Sequence, residues 1–506
     1  MKNQVFNPYL PLNVCIPDGE PHVFGDRLYV YGSQDQESGT AFCMLNYACW
    51  SAPLDDLSAW RCEGSIYRPE QDPDCGESGK YLYAPDVVKG NDGRYYLYYA
   101  LAGGSLFTQP IHVAVCDTPC GKFSYYGKLR NPDGSEFTRF ITFDPGVIND
   151  NGRIWLYYGW SVGVSPEEEA KVREGGASAM AQKLLDLQMS MFSKSREEVE
   201  SEEDGVMGGF VVELASDMLT VIRQPVRTVP GQFSAKDTEF EGHAFFEASS
   251  IRKIGDTYYF IYSSQVSHEL CYATGAHPDG PFHYGGVLIS NGDIGYKGRS
   301  EKDRVALTGN NHGSIVEVNG QWYLFYHRQT HKTTFSRQGC AEPITIRKDG
   351  KIDQVEMTSC GLNGKPLAPE GRYPAVIACN DTNGKMPHIN MVRYAGEIPY
   401  ITNDDQCRYI TDINDNTNIV FKYFDFGKET KRQLTLTLRG TCEGTLAVYI
   451  GETVAAELHV SSEAMWSPYT CTVFGKGVSE LRLVYHGQGK MDFLDFSFTE
   501  IQGADA

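Results

Sequence analysis

Asn91-Asp-Gly-Arg-Tyr-Tyr-Leu-Tyr-Tyr99 reads as a tight polar corner followed by a strand. Asp-Gly supplies a hairpin turn, and the aromatic run after it has high strand propensity. The same pattern returns in Phe24-Gly-Asp-Arg-Leu-Tyr-Val-Tyr-Gly32, Asn151-Gly-Arg-Ile-Trp-Leu-Tyr-Tyr158, Ile254-Gly-Asp-Thr-Tyr-Tyr-Phe-Ile-Tyr262 and Val318-Asn-Gly-Gln-Trp-Tyr-Leu-Phe-Tyr326. The intervals between these five hairpins are long enough for two further strands each. Radial repetition in a five-bladed β-propeller accounts for that spacing better than one open sheet or a sandwich. The aromatic runs are expected to form the inner strands of the blades.

Composition agrees with an all-β chain. Among 506 residues, 12% are aromatic and 52 are glycine. The length calls for one large repeat unit plus a smaller domain. With 45 basic against 65 acidic residues the formal charge is −20, which argues against nucleic acid and anionic membrane as partners. Residues Met1 to Leu12 show no basic-then-apolar leader, and no segment approaches the roughly 18 apolar residues that span a bilayer. A soluble, cytoplasmic protein is therefore expected. The 14 cysteines contain no CxxC pair; they read as reduced, mostly buried residues rather than a disulfide framework or zinc site. No motif points to an organic cofactor.

Two stretches depart from the repeat. From Ser165 to Asp204 the composition turns helical. Ser165-Pro166-Glu167-Glu168 resembles a capping box, Gly175-Gly176 a break, and Leu184, Leu185, Leu187 and Met191 the apolar positions. Such an insertion can roof a pocket or make a subunit contact, so a homo-oligomer is compatible with it. After Ile344 the repeats cease. The propeller is placed at 1–345, a Gly/Pro-rich linker at 346–372, and an antiparallel β-sandwich at 373–506, where runs such as Gln433-Leu-Thr-Leu-Thr-Leu-Arg439 alternate with period two. Trp466 and Tyr469 are candidates for stacking on sugar, although a packing role suits them better.

A channel at the propeller axis would draw one residue from each of several blades. Three acidic residues stand in apolar surroundings shortly before repeat hairpins: Asp18, Asp144 between Phe143 and Pro145, and Glu247 after Phe245 and Phe246. A carboxyl in such a setting is desolvated and holds its proton more tightly, as a general acid near neutral pH must. Glu247 is the best proton donor on this argument.

Taken together and in order, Ile16-Pro-Asp18, Tyr83-Ala-Pro-Asp86, Phe143-Asp-Pro145, Phe246-Glu-Ala-Ser249 and Asn310-Asn-His-Gly-Ser314 resemble glycoside hydrolase family 43, whose members include β-xylosidases, α-L-arabinofuranosidases and arabinanases. The resemblance implies an exo-acting, inverting glycosidase acting on pentose-containing oligosaccharides. It gives Asp18 the role of general base, Glu247 that of general acid, and Asp144 that of the carboxylate that raises the acid's pKa. It further implies that His312 is the channel histidine associated with a metal, usually calcium. Arg337, with Tyr83 and Phe246, would bind the sugar. Pro17-Asp18-Gly19 departs from the usual Ala-Asp-Pro, which makes Glu20 a rival for a polar role there, and Tyr83 stands where Trp is common. The alternative is a non-catalytic carbohydrate-binding propeller whose channel carboxylates hold sugar hydroxyls. The strand pattern of 373–506 is similar to carbohydrate-binding modules of the family 6 type.

Overall fold

In each of the five repeats the turn glycine occupies the left-handed region: Gly25, Gly93, Gly152, Gly255 and Gly320 have φ of 63°, 86°, 91°, 60° and 84°. That conformation lets a short turn reverse the chain with the twist of the flanking strands. The computed structural model describes residues 5–75, 81–102, 109–162, 177–201 and 205–501. Over these residues five antiparallel sheets surround an axis. Four have four strands and the last has three.

The aromatic run is the second strand of each blade, not the innermost. The innermost strands are those before the turns: Glu20–Phe24, Tyr81–Lys89, Gly146–Asp150, Phe245–Ile254 and Ile315–Val318. Alternate residues of the second strands explain the difference. Tyr95, Leu97 and Tyr99 pack with Tyr29 and Tyr31 of the first blade, while Tyr96 and Tyr98 pack with Ile154, Leu156 and Tyr158 of the third. The sequence Tyr157, Phe260 and Tyr262, then Ile261 and Tyr326, then Phe325 and Val30 continues the pattern around the ring. Each run is buried on both faces between neighbouring blades, which is why it is continuously apolar rather than alternating. The innermost strands face the channel and carry the polar residues.

The three-stranded fifth blade is flanked by the N-terminal arm. Asn7 Nδ2 donates to the Ala341 carbonyl and to Glu342 Oε1, both at 2.9 Å, and its Oδ1 accepts from Ala341 N at 2.9 Å. Tyr9 packs edge-on against Phe325 with ring centroids 5.1 Å apart. The innermost strands approach closely at the axis. A Cβ on Gly146 would lie 2.5 Å from the Ser249 carbonyl oxygen. Gly146→Ala is therefore expected to destabilise the propeller by about 1–3 kcal/mol, read as a lowered melting temperature.

Of the helical insertion, two helices are described, Ala177–Phe192 and Arg196–Glu200; the Ser165 capping box and Gly175-Gly176 lie outside the described residues. Ser195 caps the second helix, its Oγ accepting from Glu198 N at 3.2 Å while Glu198 returns a bond to Ser195 N. Leu185, Phe192 and Val199 pack onto the core between the second and third blades.

The segment 346–372 is not a loose tether. Met357, Ser359, Cys360, Leu362 and Leu367 are buried, and Ser359 bonds both Asn7 N and the Lys422 carbonyl. Beyond it the strands are antiparallel, and three are long: Thr430–Ile450, Thr453–Gly475 and Val478–Glu500. The last pairs through its first half with Asn418–Asp425 and through its second half with Arg408–Ile413 and Gly371–Pro374. One strand thereby serves both sheets of a sandwich built over Phe421, Phe493 and Phe496.

Candidate active site

The three carboxylates converge because each sits where an innermost strand begins. Asp18 and Asp144 adopt φ of 56° and 47°, a left-handed conformation that Asp tolerates better than most residues and that clusters at functional sites. Glu247 lies on a bulge: the pairing of Phe245–Ile254 shifts on either side of it, and Ala248 has φ of 71°. Bulges re-aim a side chain that regular pleating would turn elsewhere.

Asp18 is buried at 5% exposure. Its Oδ1 accepts from Arg337 Nη1 at 3.0 Å and lies 3.4 Å from His327 Nδ1 and 3.8 Å from His312 Nδ1. Burial alone would raise the Asp18 carboxyl, but the Arg337 guanidinium, with the two histidines and the Ser33 hydroxyl, holds it below its ordinary value. Arg337 is in turn clamped by Asp35, which accepts from Nε at 2.9 Å, Nη2 at 3.0 Å and the backbone N at 3.0 Å. Its guanidinium also lies 4.6 Å from the centre of the Phe42 ring.

Asp144 and Glu247 shift the opposite way. Burial raises both, taking Glu247 to about 7 and Asp144 well above the usual carboxylate range, with Glu247 the chief like charge acting on Asp144 and Asp18 acting on both. Asp144 Oδ2 accepts from Ala248 N at 3.0 Å and stands 3.9 Å from His312 Nδ1. One ring nitrogen therefore lies within 4 Å of both Asp18 and Asp144. Glu247 Oε2 accepts from Trp160 Nε1 at 3.0 Å, and Oε1 from Asn310 Nδ2 at 3.4 Å. Trp160 touches Phe192 of the insertion, ring centroids 5.7 Å apart, and Phe246 at 5.6 Å. Tyr83 lies 5.8 Å from the Phe143 ring.

Glu20, the rival to Asp18, takes a different place. Its Oε2 accepts from Arg252 Nη2 at 2.8 Å and from the Ser250 hydroxyl at 3.1 Å. It belongs to a polar layer further along the innermost strands, where Asp86 bonds His22 Nε2 at 2.6 Å and Val147 N at 2.7 Å. Composition and spacing did not single out Asp35, His327, Asn310 or Trp160. His327 accepts from Asp18 N at 3.3 Å on Nδ1 and donates to the Asn310 carbonyl at 2.8 Å through Nε2, so the two bonds fix its tautomer. Burial and Arg337 drop its pKa to about 3.

Burial lowers His312 to about 4, so it is neutral and has a free lone pair near neutral pH. It offers a calcium ion one nitrogen, whereas calcium takes six to eight oxygen ligands, and the two carboxylates nearest it are committed to the arrangement above. These residues do not form a calcium shell on their own. In the sandwich, Trp466 covers the Arg439 guanidinium at 4.1 Å and meets Tyr409 edge-on, while the Tyr469 hydroxyl donates to the Ser461 carbonyl. Both aromatics pack within the domain.

The profile described as Glycosyl hydrolases family 43 matches residues 12–189 and 190–352. The chain is 42% identical over 514 residues to a xylosidase/arabinosidase of Thermoclostridium stercorarium, covering 98% of this chain and 99% of that one. It is 31% identical over 365 residues to a xylosidase/arabinosidase of Bacteroides ovatus, covering 69% and 97%. Among solved structures it is similar to a family 43 enzyme from Xanthomonas citri complexed with xylose, at 25% identity and a TM-score of 0.49, covering 68% of this chain and 91% of that one. The chain belongs to glycoside hydrolase family 43.

Proposed function

We propose that the protein is an exo-acting glycosidase that removes terminal β-D-xylose or α-L-arabinofuranose from short oligosaccharides with inversion at the anomeric carbon. The observation that carries the reading is the divergence of Asp18 and Glu247. In one buried channel, one carboxyl is held ionised by Arg337 and the other is held protonated up to about pH 7. Two titratable groups pushed apart in this way are suited to act as base and acid. The burial of Asp18, Asp144, His312 and Arg337, each at 5% exposure or less, supports a blind pocket that takes one terminal sugar rather than a groove that takes a chain interior.

In this reading Glu247 protonates the departing glycosidic oxygen while Asp18 deprotonates a water attacking the opposite face of the ring, which requires the carboxyls to stand roughly 6.5–9.5 Å apart. Arg337 keeps Asp18 ionised and oriented, and Tyr83 and Phe246 flank the sugar. Asp144 shares the buried space with Glu247, and the cost of two negative charges there keeps the pair from ionising together.

The test is hydrolysis of a panel of 4-nitrophenyl glycosides with NMR of the sugar first released. Turnover of a pentoside with the inverted anomer is expected. Oligosaccharide binding without hydrolysis of any of them would overturn the reading in favour of a binding propeller.

A further inference from the structure

The sandwich reaches into the part of the propeller that holds the catalytic base. Arg408 opens the strand Arg408–Ile413. Its side chain is only 6% exposed, and its Nη1 lies 2.6 Å from Glu37 Oε2. The same carboxylate meets His331 Nε2 at 3.0 Å and the Cys15 thiol at 3.0 Å. Arg408 Nε and Nη2 are buried and find no hydrogen-bond partner among the described residues.

Glu37 belongs to the loop that clamps Arg337. Two residues before it, Asp35 grips Arg337 at three points, and one residue after it, Ser38 N donates to Ser336 Oγ at 2.8 Å, next to Arg337 itself. The loop carrying Arg337 is held from the same side. Ile401 N donates to the Thr330 carbonyl at 3.0 Å, Tyr394 N to the Lys332 carbonyl at 2.9 Å, and Lys332 Nζ pairs with Asp412 at 3.0 Å.

With Arg408 buried and the Glu37 side chain 18% exposed, this ion pair is a costly way to seal a seam, since apolar side chains of similar volume avoid most of the desolvation of the charges. What a charge supplies, and an apolar contact does not, is a fixed direction for its partner. Arg408 has one carboxylate to direct, and that carboxylate lies between the two segments that hold Arg337.

We propose that Arg408 is a positioning residue for hydrolysis: from the sandwich, through Glu37, it sets the 35–43 loop against Arg337 and thereby keeps Asp18 aimed at the attacking water. This rests on the reading of Asp18 as the base. The sandwich is then a working part of the catalytic apparatus in this chain, in addition to any role in binding sugar.

The experiment uses the full chain and a 4-nitrophenyl pentoside that the wild type hydrolyses. Arg408→Met is expected to lower kcat about tenfold, as small misplacements of reacting groups do, with KM within about twofold, and Arg408→Lys to recover most of the loss. In an Asp35→Asn background, where the clamp is already loosened, adding Arg408→Met is expected to cost little more, because residues acting through one contact are not additive. Should Arg408→Met fail to melt cooperatively, Glu37→Gln is read in its place with the same expectation. Wild-type kcat in the folded variant overturns the proposal, and so does a loss that multiplies undiminished in the double variant. Full activity in Asp18→Asn would instead remove the reading of the base on which it rests.

Discussion

Glu247→Ala will lower kcat/KM on a natural pentosyl linkage by about 10²–10⁴-fold, the range supplied by a positioned general acid. A sugar alcohol is a poor leaving group without a proton, whereas 4-nitrophenolate departs largely unaided. The loss on the aryl glycoside should therefore be much smaller, and the ratio of the two losses identifies the missing function as proton donation. The pH profile supplies a second signature. Glu247 acts in its protonated form, and burial holds it protonated up to about 7, so wild-type activity should fall as pH rises through that value. In Glu247→Ala this limb should vanish from the aryl glycoside profile. Equal losses on both substrates, or an unmoved alkaline limb, would assign the acid elsewhere.

Asp18→Asn should be the most damaging single change, with kcat lower by at least about 10³-fold on aryl and natural substrates alike. An activated leaving group cannot compensate here, because the missing step is the activation of water on the opposite face. Arg337 keeps the Asp18 carboxyl below its ordinary value, so the ionised, active form persists into acid and wild-type activity should be lost only as pH falls through that depressed value. The substitution also leaves Arg337 buried with Asp35 as its remaining carboxylate. A lower melting temperature should accompany the loss of turnover without accounting for it. Retained activity on an aryl pentoside would show that another group activates the water.

Much of this is legible in the amino-acid sequence. The five turns announce themselves because only glycine enters the left-handed region without strain, and the residues after them are too apolar to be anything but buried. Their radial order was not readable. A continuous apolar run signals burial on both faces, and that condition is met by the second strand, wedged between blades, rather than by the innermost strand, which lines a polar channel. Asp18, Asp144 and Glu247 stood out by their apolar neighbours. Asp35 did not, because Gln34 and Gln36 give it the look of a solvated loop, and only folding brings Arg337 to it across 302 positions. His327 did leave a trace: Tyr326-His-Arg328 ends an aromatic run with two residues that have no place in an apolar core. Arg408 left none, since a basic residue opening a strand after a polar turn is ordinary, and its partner Glu37 lies in another domain.

The N-terminal arm beside the three-stranded blade has a consequence for the order of events at the ribosome. Asn7 bonds Ala341, 334 positions later, and Asp18 meets Arg337 after 319. At about 5–20 residues per second, the arm, once made, waits tens of seconds for the strand beside which it lies. The earlier blades can stack meanwhile on aromatic contacts between neighbours, but the ring stays open and the base unclamped until the fifth blade is made. Clamping of the base is in this sense a late event, reached only when the two distant ends of the propeller meet.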